Sequence, residues 1–110
     1  MDKKQSIEAF AALSQETRLD VFRLLIKVGP EGMLAGEIGE HFAIKQNTMS
    51  ANLAILNRAG LVRSQREGRA IRYFSDIDGV KGLLEFLLED CCGGKPQLCQ
   101  PVIASLACAC

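Results

Sequence analysis

Apolar residues recur at helical spacing over most of the first sixty positions, and this pattern predicts four helices. The last three are predicted at residues 15–28, 36–42 and 46–59. Ser14 is predicted to be the N-cap of the second helix, because a serine hydroxyl can accept a hydrogen bond from a backbone N–H. Gly29-Pro30 ends that helix, since Pro30 cannot continue it and Gly29 suits the cap position.

The two longer helices each have an apolar stripe that predicts an inner face. The stripes are Leu19, Phe22 and Ile26 in the second helix and Met49, Leu53 and Leu56 in the fourth. Only residues 43–45 separate the third helix from the fourth. Two helices joined by so tight a turn indicate a helix-turn-helix.

After Gly60 the pattern changes to one that is typical of strands. Residues 61–66 and 69–74 are predicted to form a hairpin around Glu67-Gly68, where glycine supplies the positive φ of a tight turn. A hairpin directly after a helix-turn-helix is a wing. The sequence therefore predicts a mainly helical winged helix-turn-helix fold (α+β) over residues 34–75, in a chain of about five helices.

A last helix is predicted to begin at Asp76 or Asp78, either of which can cap it, and to end at Cys91-Cys92. Its predicted buried residues are Val80, Leu83, Leu84 and Leu87. We divide the chain into residues 1–90, which hold the winged helix-turn-helix, and residues 91–110, a cysteine-rich tail. No structure is assigned to residues 95–110.

Length and charge distribution narrow the function. A chain of 110 residues is one domain, too short for a separate catalytic unit, and we expect no enzyme. Formal net charge is zero, but residues 58–75 hold five arginines and one acid. No stretch has the length of a membrane span or the pattern of a signal peptide, so a cytoplasmic protein is expected.

The fourth helix presents short polar side chains at its N-terminal end, where a helix in the major groove meets base edges. They are Gln46, Asn47, Thr48 and Ser50, with Asn52 one turn further along. A polar outer face can also be merely solvated. The arginines of the adjacent wing favour the interpretation that this face contacts DNA. The wing arginines predicted to contact DNA are Arg63, Arg66, Arg69 and Arg72, of which Arg66 and Arg69 flank the hairpin tip.

The sequence resembles the ArsR/SmtB family of metal-responsive repressors in residues 10–19, 50–62 and 66–73. The resemblance extends to about Asp90 and implies a homodimer joined largely through its first and last helices. It also implies paired recognition helices on a palindromic double-stranded operator. The chain departs from the family pattern at Asn52, where many members carry histidine, so the base preference at that position does not follow from the family.

All five cysteines lie in the last twenty residues, where Cys91, Cys92 and Cys99 are spaced so that three thiolates can converge. The third helix has no cysteine, and His41 is the only histidine, which argues against the family's other common metal sites. Soft thiolates suit soft ions, and three sulfurs suit As(III) or Sb(III). Some arsenic-responsive members of the family look similar here, so we expect As(III) or Sb(III) to be the inducer and no catalytic cofactor.

Alternatives remain for the thiols. Cys108 and Cys110 can be a second thiol site, a source of a fourth ligand or an unimportant tail, and the last interpretation is favoured. With a fourth ligand the protein would be a Zn(II), Cd(II) or Pb(II) sensor. A thiol redox enzyme or metalloid carrier is the alternative from another class, but no C-x-x-C motif opens a helix. In the favoured mechanism, metalloid capture alters the last helix and releases the operator.

Overall fold

The computed structural model describes residues 1–89, residue 97 and residues 100–107. The helices are α1 Lys3–Leu13, α2 Glu16–Val28, α3 Ala35–Phe42, α4 Gln46–Arg58, α5 Ile77–Leu87 and α6 Gln100–Ala107, and the strands are β1 Met33–Leu34, β2 Val62–Glu67 and β3 Ala70–Ser75. The predicted fold class, mainly helical with a hairpin wing, is confirmed, with six helices in the described ranges instead of about five. None of these helices is long and apolar enough to cross a membrane.

The sheet is antiparallel, in the order β1-β3-β2. The pairing of β2 with β3 runs from Val62 opposite Ser75 to Glu67 opposite Ala70, one residue later in the chain than predicted. Gly68 has a φ of 63° and makes the tight turn, as expected. Strand β1 was not predicted, because two residues are too few to show an alternating pattern.

The core takes residues from each of the helices α1 to α5 and from the hairpin, and α4 contributes three of its large side chains. The predicted inner face of α4 is confirmed, since Met49, Leu53 and Leu56 are all fully buried. The predicted stripe of α2 is wrong at its two ends. Leu19 is 41% and Ile26 40% exposed, whereas the flanking Val21 and Leu25 are fully buried. Apolar residues cover more than half of the circumference of α2, so periodicity alone does not select the face that packs.

Two predictions about helix ends have different outcomes. Asp76 is the N-cap of α5, and its side chain accepts a hydrogen bond from the backbone N–H of Gly79. Ser14 is not the N-cap of α2, because its hydroxyl donates back to the Ala11 carbonyl and so closes α1. Gln15 takes the cap position, and its side-chain oxygen accepts from the Arg18 N–H.

Helix α5 buries less of itself than its sequence predicts. Leu83 is buried and Val80 is half-buried, as predicted. Leu84 is 40% and Leu87 52% exposed, so the predicted burial of these two leucines is wrong for the single chain. The helix also ends at Leu87, before the predicted end. The neighbouring α1 shows the same feature, since it buries Ser6, Ala9 and Ala12 and leaves large apolar side chains exposed.

We expect Gly79→Ala to lower the free energy of unfolding by at least about 2 kcal/mol, since overpacking a tight contact costs this much. A Cβ at Gly79 would overlap the carbonyl oxygen of Gly60, where α5 packs on the end of α4. Gly36→Ala in α3 is the matched control. Its Cβ meets nothing within 4 Å, and removing a helical glycine should raise stability by about 0.5–1 kcal/mol. Urea denaturation measures the free energy of unfolding of both variants. Equal changes in the two variants would contradict the close packing of Gly79 against Gly60.

Candidate nucleic-acid interface

The turn between α3 and α4 brings the two helices close together. Ala43 adopts the left-handed conformation, with a φ of 54°, and its N–H and that of Ile44 donate to the carbonyls of Glu40 and Gly39. Gly39 is buried beside the next helix, and a Cβ there would lie 2.8 Å from Oε1 of Gln46. Glycine at this position therefore lets α4 start directly against α3.

The N-terminal end of α4 is polar and open to solvent. Gln46, Asn47, Thr48 and Ser50 are all exposed, as a DNA-reading surface requires. Asn47 uses its side-chain oxygen locally, accepting the Thr48 N–H at 2.9 Å. The N-cap Lys45 provides no side-chain cap, so within the described residues the N–H groups of Gln46 and Asn47 stay free at the positive end of the helix dipole. This end of α4 suits an anionic partner, and contact of these side chains with DNA stays a prediction.

Asn52 lies in a different environment from the other four. It is half-buried, and its Oδ1 accepts a hydrogen bond from Nη1 of Arg18 at 3.2 Å. Arg18 lies 34 positions from Asn52, and no local pattern in the sequence relates residues at that separation, so this contact was not predicted. Asn52 is therefore held in place by the protein itself.

The four wing arginines lie on two faces of the hairpin. Side chains alternate along a strand, so Arg63 and Arg72 share one face and Arg66 takes the other, while Arg69 is in the turn. The guanidinium of Arg63 stacks 4.5 Å from the centre of the Phe74 ring. Arg72 pairs with the Glu67 carboxylate at 2.7 Å and donates to the Glu31 carbonyl. Within the described residues, the guanidinium groups of Arg66 and Arg69 have no hydrogen-bond or ion-pair partner.

The face of the hairpin that carries Arg66 is the one that meets α4. Ser64, two residues before Arg66, accepts a hydrogen bond from the Asn57 side chain near the end of α4. On the opposite face, the hydrogen bond to Glu67 is the main cause that raises the pKa of Arg72, and the charge is balanced locally. Arg72 is thus engaged by other groups of the protein at the surface, whereas Arg66 lies on the side of the polar helix.

Comparisons with known proteins agree with this geometry. A family model described as a helix-turn-helix domain matches residues 13–65. The HTH-type transcriptional regulator YbzH of Bacillus subtilis is 32% identical over 95 residues, which cover 76% of this chain and 95% of YbzH. The transcriptional repressor SdpR of the same organism is 35% identical over 82 residues, 71% of this chain and 88% of SdpR.

Two solved structures resemble this fold. An ArsR-like transcriptional regulator from Rhodococcus superposes with a TM-score of 0.68 at 25% identity, covering 97% of this chain and 96% of that one. The chain belongs to the helix-turn-helix transcriptional regulators. The homodimeric winged helix-turn-helix DNA-binding domain Mb0332 of Mycobacterium bovis gives a TM-score of 0.64 at 27% identity, over 79% of this regulator and 81% of that chain.

The predicted sensor of this regulator, Cys91, Cys92 and Cys99, lies outside the described residues, as do Cys108 and Cys110. In the part of the chain that the structure describes, no three His, Cys, Asp or Glu side chains are grouped to hold a metal ion. The thiol site therefore stays a prediction from the sequence.

Proposed function

We propose that this regulator is a homodimeric transcriptional repressor that binds a palindromic operator and releases it on binding As(III) or Sb(III). The observation that carries the DNA-binding part is the pairing of an exposed polar end of α4 with two exposed arginines, Arg66 and Arg69, at the wing tip. A helix end of this kind reads base edges in the major groove, while arginines of a wing meet phosphates or enter a minor groove.

The exposed apolar side chains of α1 and α5 support a homodimer. These helices pack against each other, and their exposed residues include Ile7, Phe10, Leu84 and Leu87. Large exposed apolar patches usually mark interaction sites, and the similar domain Mb0332 is homodimeric. A two-fold dimer would present two α4 helices to half-sites about 34 Å apart, one turn of the duplex.

The cysteines supply the proposed signal. Cys91 and Cys92 follow α5 closely in the sequence, and with Cys99 they offer three thiolates to a trivalent metalloid in a reducing cytoplasm. A site placed directly after a dimerisation helix is well placed to bias the dimer geometry. A coupling of about 1–3 kcal/mol between metalloid and operator would lower DNA affinity about 5- to 150-fold. Repression, the activity of the similar SdpR, would then end.

Gel-shift titration against the DNA upstream of its own gene tests the proposal. Wild-type protein should bind at nanomolar to micromolar concentration, and arsenite should release it, whereas zinc and cadmium should not. Release by zinc or cadmium would favour a divalent-metal sensor using Cys108 or Cys110, and release by a thiol oxidant alone would favour redox sensing. Failure to bind any upstream or randomly selected duplex would overturn the proposal.

Serine variants of the three cysteines locate the sensor. We expect Cys91→Ser, Cys92→Ser and Cys99→Ser each to bind operator with wild-type affinity and to lose release by arsenite, because each removes one of three sulfur ligands. Cys108→Ser and Cys110→Ser are the matched controls and should respond normally. Arsenite release that survives in the first three variants would place the site elsewhere.

A further inference from the structure

A single arginine connects three helices behind the DNA-reading surface. Arg18, in the first turns of α2, donates from Nε to the Ala12 carbonyl of α1 at 2.8 Å and from Nη1 to Oδ1 of Asn52 in α4 at 3.2 Å. Both Arg18 and Asn52 are half-buried. The contact is therefore shielded from water on one side, where hydrogen bonds are stronger than in bulk solvent.

The Ala12 carbonyl fixes the position of the arginine. Ala12 belongs to the last turn of α1, where carbonyl groups lack a partner inside the helix. The bond from Arg18 supplies that partner. The guanidinium is planar and its donors point in fixed directions, so anchoring Nε at Ala12 also fixes where the second donor meets α4.

The chemistry of the two side chains then determines how the Asn52 amide is turned. A guanidinium only donates hydrogen bonds, so the atom facing Arg18 must be the amide oxygen. The amide nitrogen, Nδ2, is left with two donors and has no hydrogen-bond partner within the described residues. We propose that Arg18 is a positioning residue that holds Asn52 with Nδ2 available, so that Asn52 donates to an acceptor atom of the operator.

This assignment rests on the proposed function and makes it more specific. Reading adenine through a paired contact needs the amide oxygen and nitrogen side by side on the base edge. In this protein the oxygen is engaged with Arg18. The available Nδ2 group donates, so its partners on DNA are acceptors: phosphate oxygens, O6 and N7 of guanine, N7 of adenine and O4 of thymine.

Two substitutions at Asn52 separate the donor from the acceptor function. A neutral histidine has one ring nitrogen that can accept from Arg18 and one N–H that can donate outward, so it has the same polarity as the held amide. An aspartate can still accept a hydrogen bond from Arg18, but it offers only acceptors to DNA. At pH 8 we expect Asn52→His to keep the Kd within about threefold of wild type, and Asn52→Asp to raise it at least about tenfold.

The probe is a duplex that the wild-type full-length protein selects from a random pool, and affinity is measured by fluorescence anisotropy. Thermal melting of each variant without DNA checks that it folds. If wild type selects no duplex, the proposed function fails. If wild type binds and Asn52→Asp binds equally well, or Asn52→His is as weak as Asn52→Asp, only the present inference is overturned.

A double-mutant cycle tests whether Arg18 acts through Asn52. Arg18→Met keeps an unbranched stem but removes the donors, and we expect it and Asn52→Ala each to weaken binding about fivefold. The Kd of the double variant should be no higher than that of the weaker-binding single variant, because both substitutions disrupt the same Arg18–Asn52 contact. Fully additive effects would overturn the positioning role. Arg23→Met, at an exposed position of α2, is the control for the removed charge and should change the Kd less than twofold.

Modified duplexes identify which acceptor is used. Neutral methylphosphonate at one phosphate, or 7-deazaguanine or 7-deazaadenine at one base, removes a single acceptor of the operator. One such change should weaken wild-type binding and leave the Kd of Asn52→Ala unaltered. If no acceptor removal affects the two proteins differently, Asn52 makes no donor contact and the inference is overturned.

Discussion

Replacing Arg66 and Arg69 together with alanine is expected to weaken operator binding at least about 100-fold. Charge-assisted hydrogen bonds contribute about 1.5–3 kcal/mol each, and every 1.4 kcal/mol is a factor of ten in Kd. Both guanidinium groups are exposed at the wing tip and free of partners within the described residues. The dependence of log Kd on log salt should become shallower by about one unit for each interaction with a phosphate that the substitutions remove. Anisotropy titrations between about 50 and 200 mM salt, a range in which phosphate contacts change affinity strongly, measure both effects.

The other two wing arginines provide a control with the same change in charge. Arg63 stacks on Phe74 and Arg72 is paired with Glu67, both on the opposite face of the hairpin from Arg66. We expect the Arg63→Ala, Arg72→Ala double variant to weaken binding less than about fivefold and to change the salt dependence by less than about one unit. If both double variants weaken binding equally, DNA contacts both faces of the hairpin. That result would agree with the prediction from the sequence, in which all four arginines contact DNA.

Much of the helix-turn-helix could be predicted because its local signals agree with one another. In α4 the apolar residues Met49, Leu53 and Leu56 define one face, and all three are buried. The hairpin was recognisable from the glycine at its turn. The placement of the wing arginines on two faces could also have been predicted from the sequence. Positions 63 and 66 of one strand are separated by an odd number of residues, so their side chains lie on opposite faces.

Other features depend on distant contacts that no local pattern contains. The bond from Arg18 to Asn52 joins α2 to α4, and without it Asn52 resembles any polar residue of a recognition helix. Helix α2 has apolar residues on most sides, so the neighbours of Val21 and Leu25 decide which face is buried. The predicted burial of Leu84 and Leu87 is wrong because, in the described ranges, the chain folds with no element of its own over them.

Leu87→Glu is expected to convert the proposed dimer into a monomer and to weaken binding of a palindromic duplex at least about 100-fold. Leu87 is 52% exposed in the single chain, so the substitution leaves the core of each protomer intact. In a dimer joined through α1 and α5, the same carboxylate would be buried without a partner, which costs several kcal/mol. A monomer also loses the gain in affinity that comes from holding two recognition helices together.

Leu19→Glu is the matched control, because Leu19 is also exposed, at 41%, but lies on α2. Sedimentation velocity should show dimer for wild type and Leu19→Glu and monomer for Leu87→Glu, with thermal melting confirming that both variants fold. Binding to a single half-site separates the two causes of reduced affinity, since a folded monomer with intact α4 and wing should bind it as weakly as wild type does. A dimeric Leu87→Glu protein would show that the exposed face of α5 lies outside the interface, and would remove the physical link between the cysteines that follow this helix and the spacing of the two recognition helices.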